Sequence, residues 1–268
     1  GKYLPRDIAA QILREPEKLA LHGEQREIFV IFTDLEGFTE LTHGIPPPLV
    51  AQLLNRYLDM LSETVLEYGG TLDKFVGDSV IAFWGAPIAR PDDGERAARC
   101  ALALYETGQR FRGEAPAEAP PIGRTRVGLH LGEAIVGNFG GEDRIQYTAL
   151  GDAMNTASRL EAANKVLKTR ALISREAAER CNVEGLRAMG RIQVRGRSTP
   201  IEVFEINPDC PEAVRKRLNG AYIQFDAGDV SILDDIVKLA KDCPDDQALA
   251  ALALRLKSVG PGGSYVLN

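Results

Sequence analysis

Cysteine is scarce and badly placed for metal or disulfide chemistry. Cys100, Cys181, Cys210 and Cys243 form no C-x-x-C pair, and none lies near two histidines at zinc-ligand spacing. A zinc ribbon and a disulfide framework are excluded, leaving reduced thiols in a cytoplasmic setting. No apolar run reaches the ~18 residues of a membrane helix, and no secretory signal is visible. Positive charge is not in excess: 32 Lys and Arg stand against 38 Asp and Glu, for a net charge of −6. That balance argues against nucleic acid as a partner but leaves room for a small anion held by a local cluster of cations. The three histidines, His22, His43 and His130, have no metal spacing, and His130 reads as a packed residue ending a strand. Neither G-x-x-x-x-G-K-[ST] nor a G-x-G-x-x-G after a strand occurs, so Walker-type and dinucleotide sites are excluded.

What is present is an ordinary globular composition, 44% hydrophobic and 26% charged over 268 residues, which rules out disorder of the whole chain. Residues 1–25 read as a lead-in with a short amphipathic helix from Ile8, Ile12, Leu13 and Leu19, interrupted near Pro16. Glu27–Thr33 is apolar and β-branched, the pattern of a strand buried on both faces, with Asp34–Gly37 as the turn after it. A helix follows over about 48–68, stopped at Tyr68-Gly-Gly70. Thr71–Val76 and Ser79–Phe83 flank Gly77-Asp78 as a tight hairpin. A second helix spans 93–112 and a Pro/Ala-rich loop 113–124. Thr125–Leu131, Glu133–Asn138 and Arg144–Ala149 read as three strands, and 151–164 as a third helix. A short strand (170–173), a short helix (174–181) and a strand pair, Gly190–Val194 and Ile201–Ile206, complete residues 26–206. Residues 207–268 form a helical C-terminal extension, with Leu249, Leu252 and Leu254 recurring. The β-α-β-β-α-β order predicts an α/β (α+β) ferredoxin-like sandwich with added antiparallel strands and helices on one face.

Asp34 ends a buried strand and Asp78 tips a hairpin. If those strands are neighbours the two carboxylates converge, which suits Mg²⁺ held by one or two acids plus substrate phosphates. Either Asp alone is as readily a turn residue. Gly37-Phe38-Thr39 opens towards a helix, where backbone N–H groups could receive phosphate oxygens. Asn155 and Arg159 stand one turn apart on the third helix, an amide and a planar fork on one face. Lys74 and Thr148 could read a base edge. Arg195 and Arg197 flank Gly196 in a basic turn, with Arg187 and Arg191 just before it. Such a turn suits a polyphosphate, or is simply an exposed charged loop.

These residues resemble the catalytic domain of class III nucleotidyl cyclases. The resemblance rests on Phe32-Thr-Asp-Leu-Glu-Gly-Phe-Thr39, Asp73-Lys-Phe-Val-Gly-Asp78 and Tyr147-Thr-Ala-Leu-Gly-Asp-Ala-Met-Asn-Thr-Ala-Ser-Arg-Leu160. Gly132-Glu-Ala-Ile-Val-Gly-Asn138 and Val194-Arg-Gly-Arg197 add to it, and it covers about residues 26–206. It implies a homodimer with active sites at the interface and two Mg²⁺ or Mn²⁺ ions per site, held by Asp34, Asp78 and the Leu35 carbonyl of one protomer. Lys74 of the other protomer would contact the adenine of ATP, Asn155 would orient the ribose, and Arg159 would stabilise charge on the reacting phosphate. Arg197, or Arg195 in its place, matches a position where the family usually has a triphosphate-binding Lys. Thr148 departs from the Asp that many adenylyl cyclases carry there. It matches a Thr- or Ser-bearing subgroup that includes bicarbonate-responsive enzymes, which implies bicarbonate as an activator.

The expected activity is therefore conversion of ATP to 3′,5′-cyclic AMP and pyrophosphate. Guanylyl cyclases typically carry Glu and Cys at the base-reading positions, and this chain does not. A catalytically silent regulatory module would usually have lost an acid or the Asn/Arg pair, whereas all four remain. The diguanylate cyclase signature fails at Arg144, where Phe is needed. Residues 1–25 resemble the connector of membrane-bound bacterial receptor cyclases, which implies an upstream sensor and membrane region outside this chain.

Overall fold

The computed structural model describes residues 23–141 and 144–267, together with 9–10 and 13–14. The amphipathic lead-in helix falls largely outside the described residues. Nine strands form one mixed sheet in the order β2-β3-β1-β4-β6-β8-β7-β9, with β5 paired to β4 off this path. The strands are β1 (Gly23–Leu35), β2 (Thr71–Val76), β3 (Ser79–Trp84), β4 (Thr125–Gly141), β5 (Arg144–Leu150), β6 (Ala171–Ser174), β7 (Leu186–Gln193), β8 (Ile201–Ile206) and β9 (Tyr265–Val266). The helices are α1 (Phe38–His43), α2 (Pro47–Glu67), α3 (Asp93–Gly113), α4 (Asp152–Leu167), α5 (Arg175–Ala178), α6 (Glu212–Asp226), α7 (Leu233–Asp242) and α8 (Gln247–Val259). The β2-β3-β1-β4 portion is antiparallel throughout, which is the expected ferredoxin-like core.

Helices cover both faces of this sheet, not one. Phe29 and Ile31 of β1 pack with α2 and α3 residues such as Leu61 and Leu104. Ile28 and Val30 pack on the opposite face with Ala153 and Ala157 of α4. A strand apolar at every position has two faces to remove from water, so a second helical layer is required. α4 lies close to β4: a Cβ at Gly128 would stand 2.3 Å from the Glu161 backbone nitrogen. Asn164 fastens the same contact by donating to the Val127 carbonyl at 2.9 Å.

β4 runs unbroken through Gly132, where two strands were expected. It pairs with β1 continuously from Gly23↔Gly137 to Leu35↔Thr125, and that ladder carries it past the glycine. Asp34 and Leu35 accordingly belong to β1 and not to the turn. His130 lies in mid-strand, buried, with Nδ1 2.8 Å from the Ser174 hydroxyl. The hairpin at Gly77-Asp78 forms as expected, with Gly77 at φ 60°.

The C-terminal helices continue the α4 layer. Leu218, Phe225, Leu249 and Leu252 share one apolar cluster with Leu160, Leu172 and Ile192, whereas Leu254 is exposed. β9 adds a parallel strand to β7, a pairing the helical pattern did not reveal. Arg187 is buried and bonded to both Glu205 and Asp246, the latter capping α8. Arg191 pairs with Asp226 of α6. These two arginines therefore fasten the extension to β7 instead of contributing to a basic turn. Because removing one partner strands a buried charge, Arg187→Ala should lower unfolding free energy by about 3 kcal/mol. Urea titration followed by circular dichroism measures this, and a change below about 1 kcal/mol would contradict the buried-pair account.

Candidate active site

Three carboxylates and one guanidinium meet where β1 ends. The β1–β4 register sets Asp34 opposite Arg126, whose Nη2 donates to Asp34 Oδ2 at 2.6 Å. On its other side Arg126 Nε stands 3.6 Å from Glu161 Oε1 on α4. The β1–β3 pairing carries the Gly77-Asp78 turn to the same place, and Asp78 Oδ2 accepts the Leu35 N–H at 2.8 Å. Asp34 and Asp78 thus converge, as expected for neighbouring strands.

The electrostatics of this group favour a cation. Burial raises the Asp78 carboxyl, and the adjoining Asp34 raises it further, to about 6. Burial acts on Asp34 in the same sense. Its hydrogen bond with Asp78 and the Arg126 guanidinium outweigh burial and leave it lowered. Burial and the two aspartates push Glu161 up to about 9. One arginine is too little positive charge for three crowded acids, so protons are retained. Among the described residues no cluster of three or more His, Cys, Asp or Glu stands ready as a complete metal cage. Two carboxylates with coordination positions left for phosphate oxygens are what Mg²⁺ commonly uses.

A second group lies on the α4 side of the sheet, at β2 and β5. The β2–β3 register slips between Leu72, opposite Ala82, and Lys74, opposite Ile81. This bulge leaves Asp73 as the extra residue. Without it Lys74 would share the face of Leu72, under α2 and α3; the slip moves Lys74 to the face of Ile81. There Thr148 of β5 donates to Asp73 Oδ1 at 2.7 Å, and the Lys74 ammonium stands 3.9 Å from the same oxygen. Gln146 reaches the Asp73 carbonyl at 3.4 Å. The two residues singled out as base readers, Lys74 and Thr148, are brought together around an acid that the sequence reading left without a role.

The third group belongs to α4 and the β7–β8 turn. Asn155 is exposed and Arg159 half-buried, while Ala153, Ala157 and Leu160 form the buried stripe as expected. The Arg159 guanidinium rests against Gly196, where a Cβ would stand 3.0 Å from Nη2. Arg197 lies 3.6 Å from Glu176, has its Nη1 buried without a hydrogen-bond partner, and accepts at its carbonyl from Gln193. Arg195 is exposed. Arg159 and the turn of Arg195 and Arg197 are thus neighbours, although far apart in sequence. Gly37 begins α1 with φ 72° and no side-chain cap, leaving the half-buried Phe38 and exposed Thr39 at the helix start.

Arg126, Glu161 and Asp73 were missed. Arg126 becomes visible only with the β1–β4 register. Glu161 had one signal, a charge adjoining the buried Leu160. Asp73 looked like one more polar residue in an alternating strand.

The fold is that of a nucleotidyl cyclase catalytic domain. The chain belongs to the adenylate and guanylate cyclase catalytic domain family, whose model matches residues 22–208. It is 37% identical over 205 residues to adenylate cyclase 1 of Rhizobium meliloti (strain 1021), a match covering 76% of this chain and 31% of that protein. The chain therefore spans about a third of that relative's length. Among solved structures it is similar to the adenylyl cyclase CyaB from P. aeruginosa, at TM-score 0.64 and 33% identity over 71% of this chain and all of that one. It is also similar to the guanylyl cyclase Cya2, at TM-score 0.61 and 28% identity over 69% of this chain and 94% of that one. No helix among the described residues is long and apolar enough to cross a membrane.

Gly196→Ala should cost about 1 kcal/mol of stability through its φ of 81°. It should also displace Arg159, so turnover falls by at least about tenfold. Steady-state kinetics and thermal unfolding together measure the two effects. Unchanged turnover would show that Arg159 does not work from this position.

Proposed function

We propose that the chain is an adenylyl cyclase, converting ATP to 3′,5′-cyclic AMP and pyrophosphate at sites shared between two copies of the chain. The observation that carries this reading is the meeting of Lys74 and Thr148 around Asp73, on strands far apart in sequence. An ammonium can donate to the adenine N1, and a hydroxyl can pair with the 6-amino group. Similarity to adenylate cyclase 1 and to CyaB supports ATP as the substrate.

Sharing between copies is supported by the geometry of α4. Glu161 faces Asp34 and Arg126, whereas Arg159, two residues earlier, faces Gly196. Positions two apart on a helix point roughly 200° from one another. The acid pair and the Arg159 group of one chain therefore look in different directions, and a second chain would complete each site. Exposed Phe75, Val76, Ile135 and Leu150 offer apolar surface for that second copy.

In this reading Asp34 and Asp78, with the Leu35 carbonyl, hold two Mg²⁺ or Mn²⁺ ions. Bound there, the ions would acidify the ribose 3′-hydroxyl and neutralise the phosphates. Lys74 and Thr148 seat the base, and Asn155 orients the ribose. The 3′-oxygen then attacks the α-phosphorus, its proton passes to water, and the bond from the α-phosphorus to the pyrophosphate oxygen breaks. Arg159 stabilises the charge that develops on the α-phosphate, while Arg197 and Arg195 receive the triphosphate. The backbone N–H groups of Gly37, Phe38 and Thr39 would donate to phosphate oxygens.

Asp34→Ala and Asp78→Ala should each abolish cyclic AMP formation while leaving the circular dichroism spectrum intact. Near-normal activity in either would remove the metal assignment. Mixing Asp78→Ala with Arg159→Ala chains should restore activity, because one of the two heterodimer sites is whole. No recovery despite verified mixing would argue against shared sites. An ATP and GTP comparison in Mg²⁺ or Mn²⁺, with and without bicarbonate, tests the substrate and the expected activator.

The Asp78 shift also sets a pH dependence. Its carboxyl, raised to about 6, holds a proton below that pH and must lose it to bind a cation. Mn²⁺ affinity without nucleotide should therefore strengthen from pH 5 to pH 7, read by calorimetry. An affinity that does not change with pH would contradict the site.

A further inference from the structure

Asp73 touches no part of the nucleotide in the reading above, yet its environment is unusual. Its side chain is fully covered, although it lies on β2 at one end of the sheet. It is the extra residue of the bulge, and its Oδ1 lies 3.9 Å from the Lys74 ammonium. Oδ1 accepts the Thr148 hydroxyl at 2.7 Å. Oδ2 is buried without a well-aligned partner, although the Ala149 N–H also acts to lower this carboxyl, which burial raises. An under-satisfied buried carboxylate is costly, so its retention calls for a use.

A carboxylate only accepts hydrogen bonds, whereas a hydroxyl has one proton and two lone pairs. Thr148 must therefore direct its single proton to Asp73. The lone pairs that remain are what Thr148 can offer to a ligand. Adenine presents a 6-amino donor at that edge, and guanine presents a 6-oxo acceptor. A hydroxyl locked as an acceptor matches the first and repels the second. Thr148 without Asp73 could rotate and serve either base.

We infer that Asp73 is a specificity-determining positioning residue, which orients the Thr148 hydroxyl as an acceptor and so selects a 6-aminopurine nucleotide over a 6-oxopurine one. The inference rests on reading Lys74 and Thr148 as base contacts in a cyclase that takes ATP. It also accounts for a threonine where many adenylyl cyclases have an acid: the acid is still present, one hydrogen bond further from the base.

The test is the ratio of kcat/KM for ATP to that for GTP, measured on the purified chain. Asp73→Leu keeps roughly the size but offers Thr148 no acceptor, which frees the hydroxyl proton. The ratio should fall by about tenfold or more, the effect of one reversed hydrogen bond. A merely structural role would lower both nucleotides alike, and an unchanged ratio overturns the inference. In a Thr148→Val background Asp73→Leu should leave the ratio unaltered; a further fall there also overturns it. Should Asp73→Leu fail to fold, Asp73→Ala is read in the same way. The unmodified chain supplies an independent reading: inosine triphosphate, with its 6-oxo group, should be used at least about tenfold less well than ATP. Equal use overturns the inference without any variant. An unmodified chain that prefers GTP or makes no cyclic nucleotide would instead defeat the adenylyl cyclase reading itself, so the two failures are distinguishable.

Discussion

The antiparallel pairing of β1 with β4 is the constraint on which the rest depends. β1 is 13 residues long, and every one of them has a partner in β4, from Gly23↔Gly137 to Leu35↔Thr125. A slip of one position would turn Phe29 and Ile31 to the face of α4 and Ile28 and Val30 to the face of α2 and α3. Both faces are packed, so such a slip would disrupt two cores at once. The same register sets Arg126 against Asp34 at 2.6 Å. The chemistry at the strand end is therefore held by the packing of the strand middle.

α4 is the second organising element. It approaches β4 across Gly128, and its buried stripe of Ala153, Ala157 and Leu160 faces the sheet. Its polar positions then fall into separate directions: Glu161 towards the acids, Arg159 towards the β7–β8 turn. The C-terminal helices extend the same layer, and the pairs of Arg187 and Arg191 with Asp246, Glu205 and Asp226 fasten them to β7. The turn that carries Arg195 and Arg197 follows β7 directly and meets α4 at Arg159.

Much of this was legible in the chain. The buried strand, the Gly77-Asp78 hairpin and helices near 48–68 and 151–164 followed from periodicity and turn chemistry, which are local; the convergence of Asp34 and Asp78 was expected only if their strands were neighbours. The need for helices on both faces was implicit in the unbroken apolar run of β1, but the connectivity suggested a single layer. The continuity of β4 through Gly132 was not legible, because a glycine that would end an isolated strand is carried by a long partner. Nor was the pairing of Arg187 and Arg191, since a buried arginine and an exposed one have the same letter.

By itself the sequence determined which chemical groups exist and how they are spaced: two acids at strand and turn, an Asn and Arg one helical turn apart, and a basic turn near the end of the core. Those are properties of local geometry, set by residue spacing. Only the tertiary structure decided which groups face one another. The β1–β4 register chose Arg126 as the partner of Asp34, and a bulge of one residue turned Lys74 out from under the helices. The same bulge set Asp73 against Thr148, from a strand about 75 residues away. Such pairings depend on long-range register and on burial from both sides, and neither is written in any short stretch of the chain.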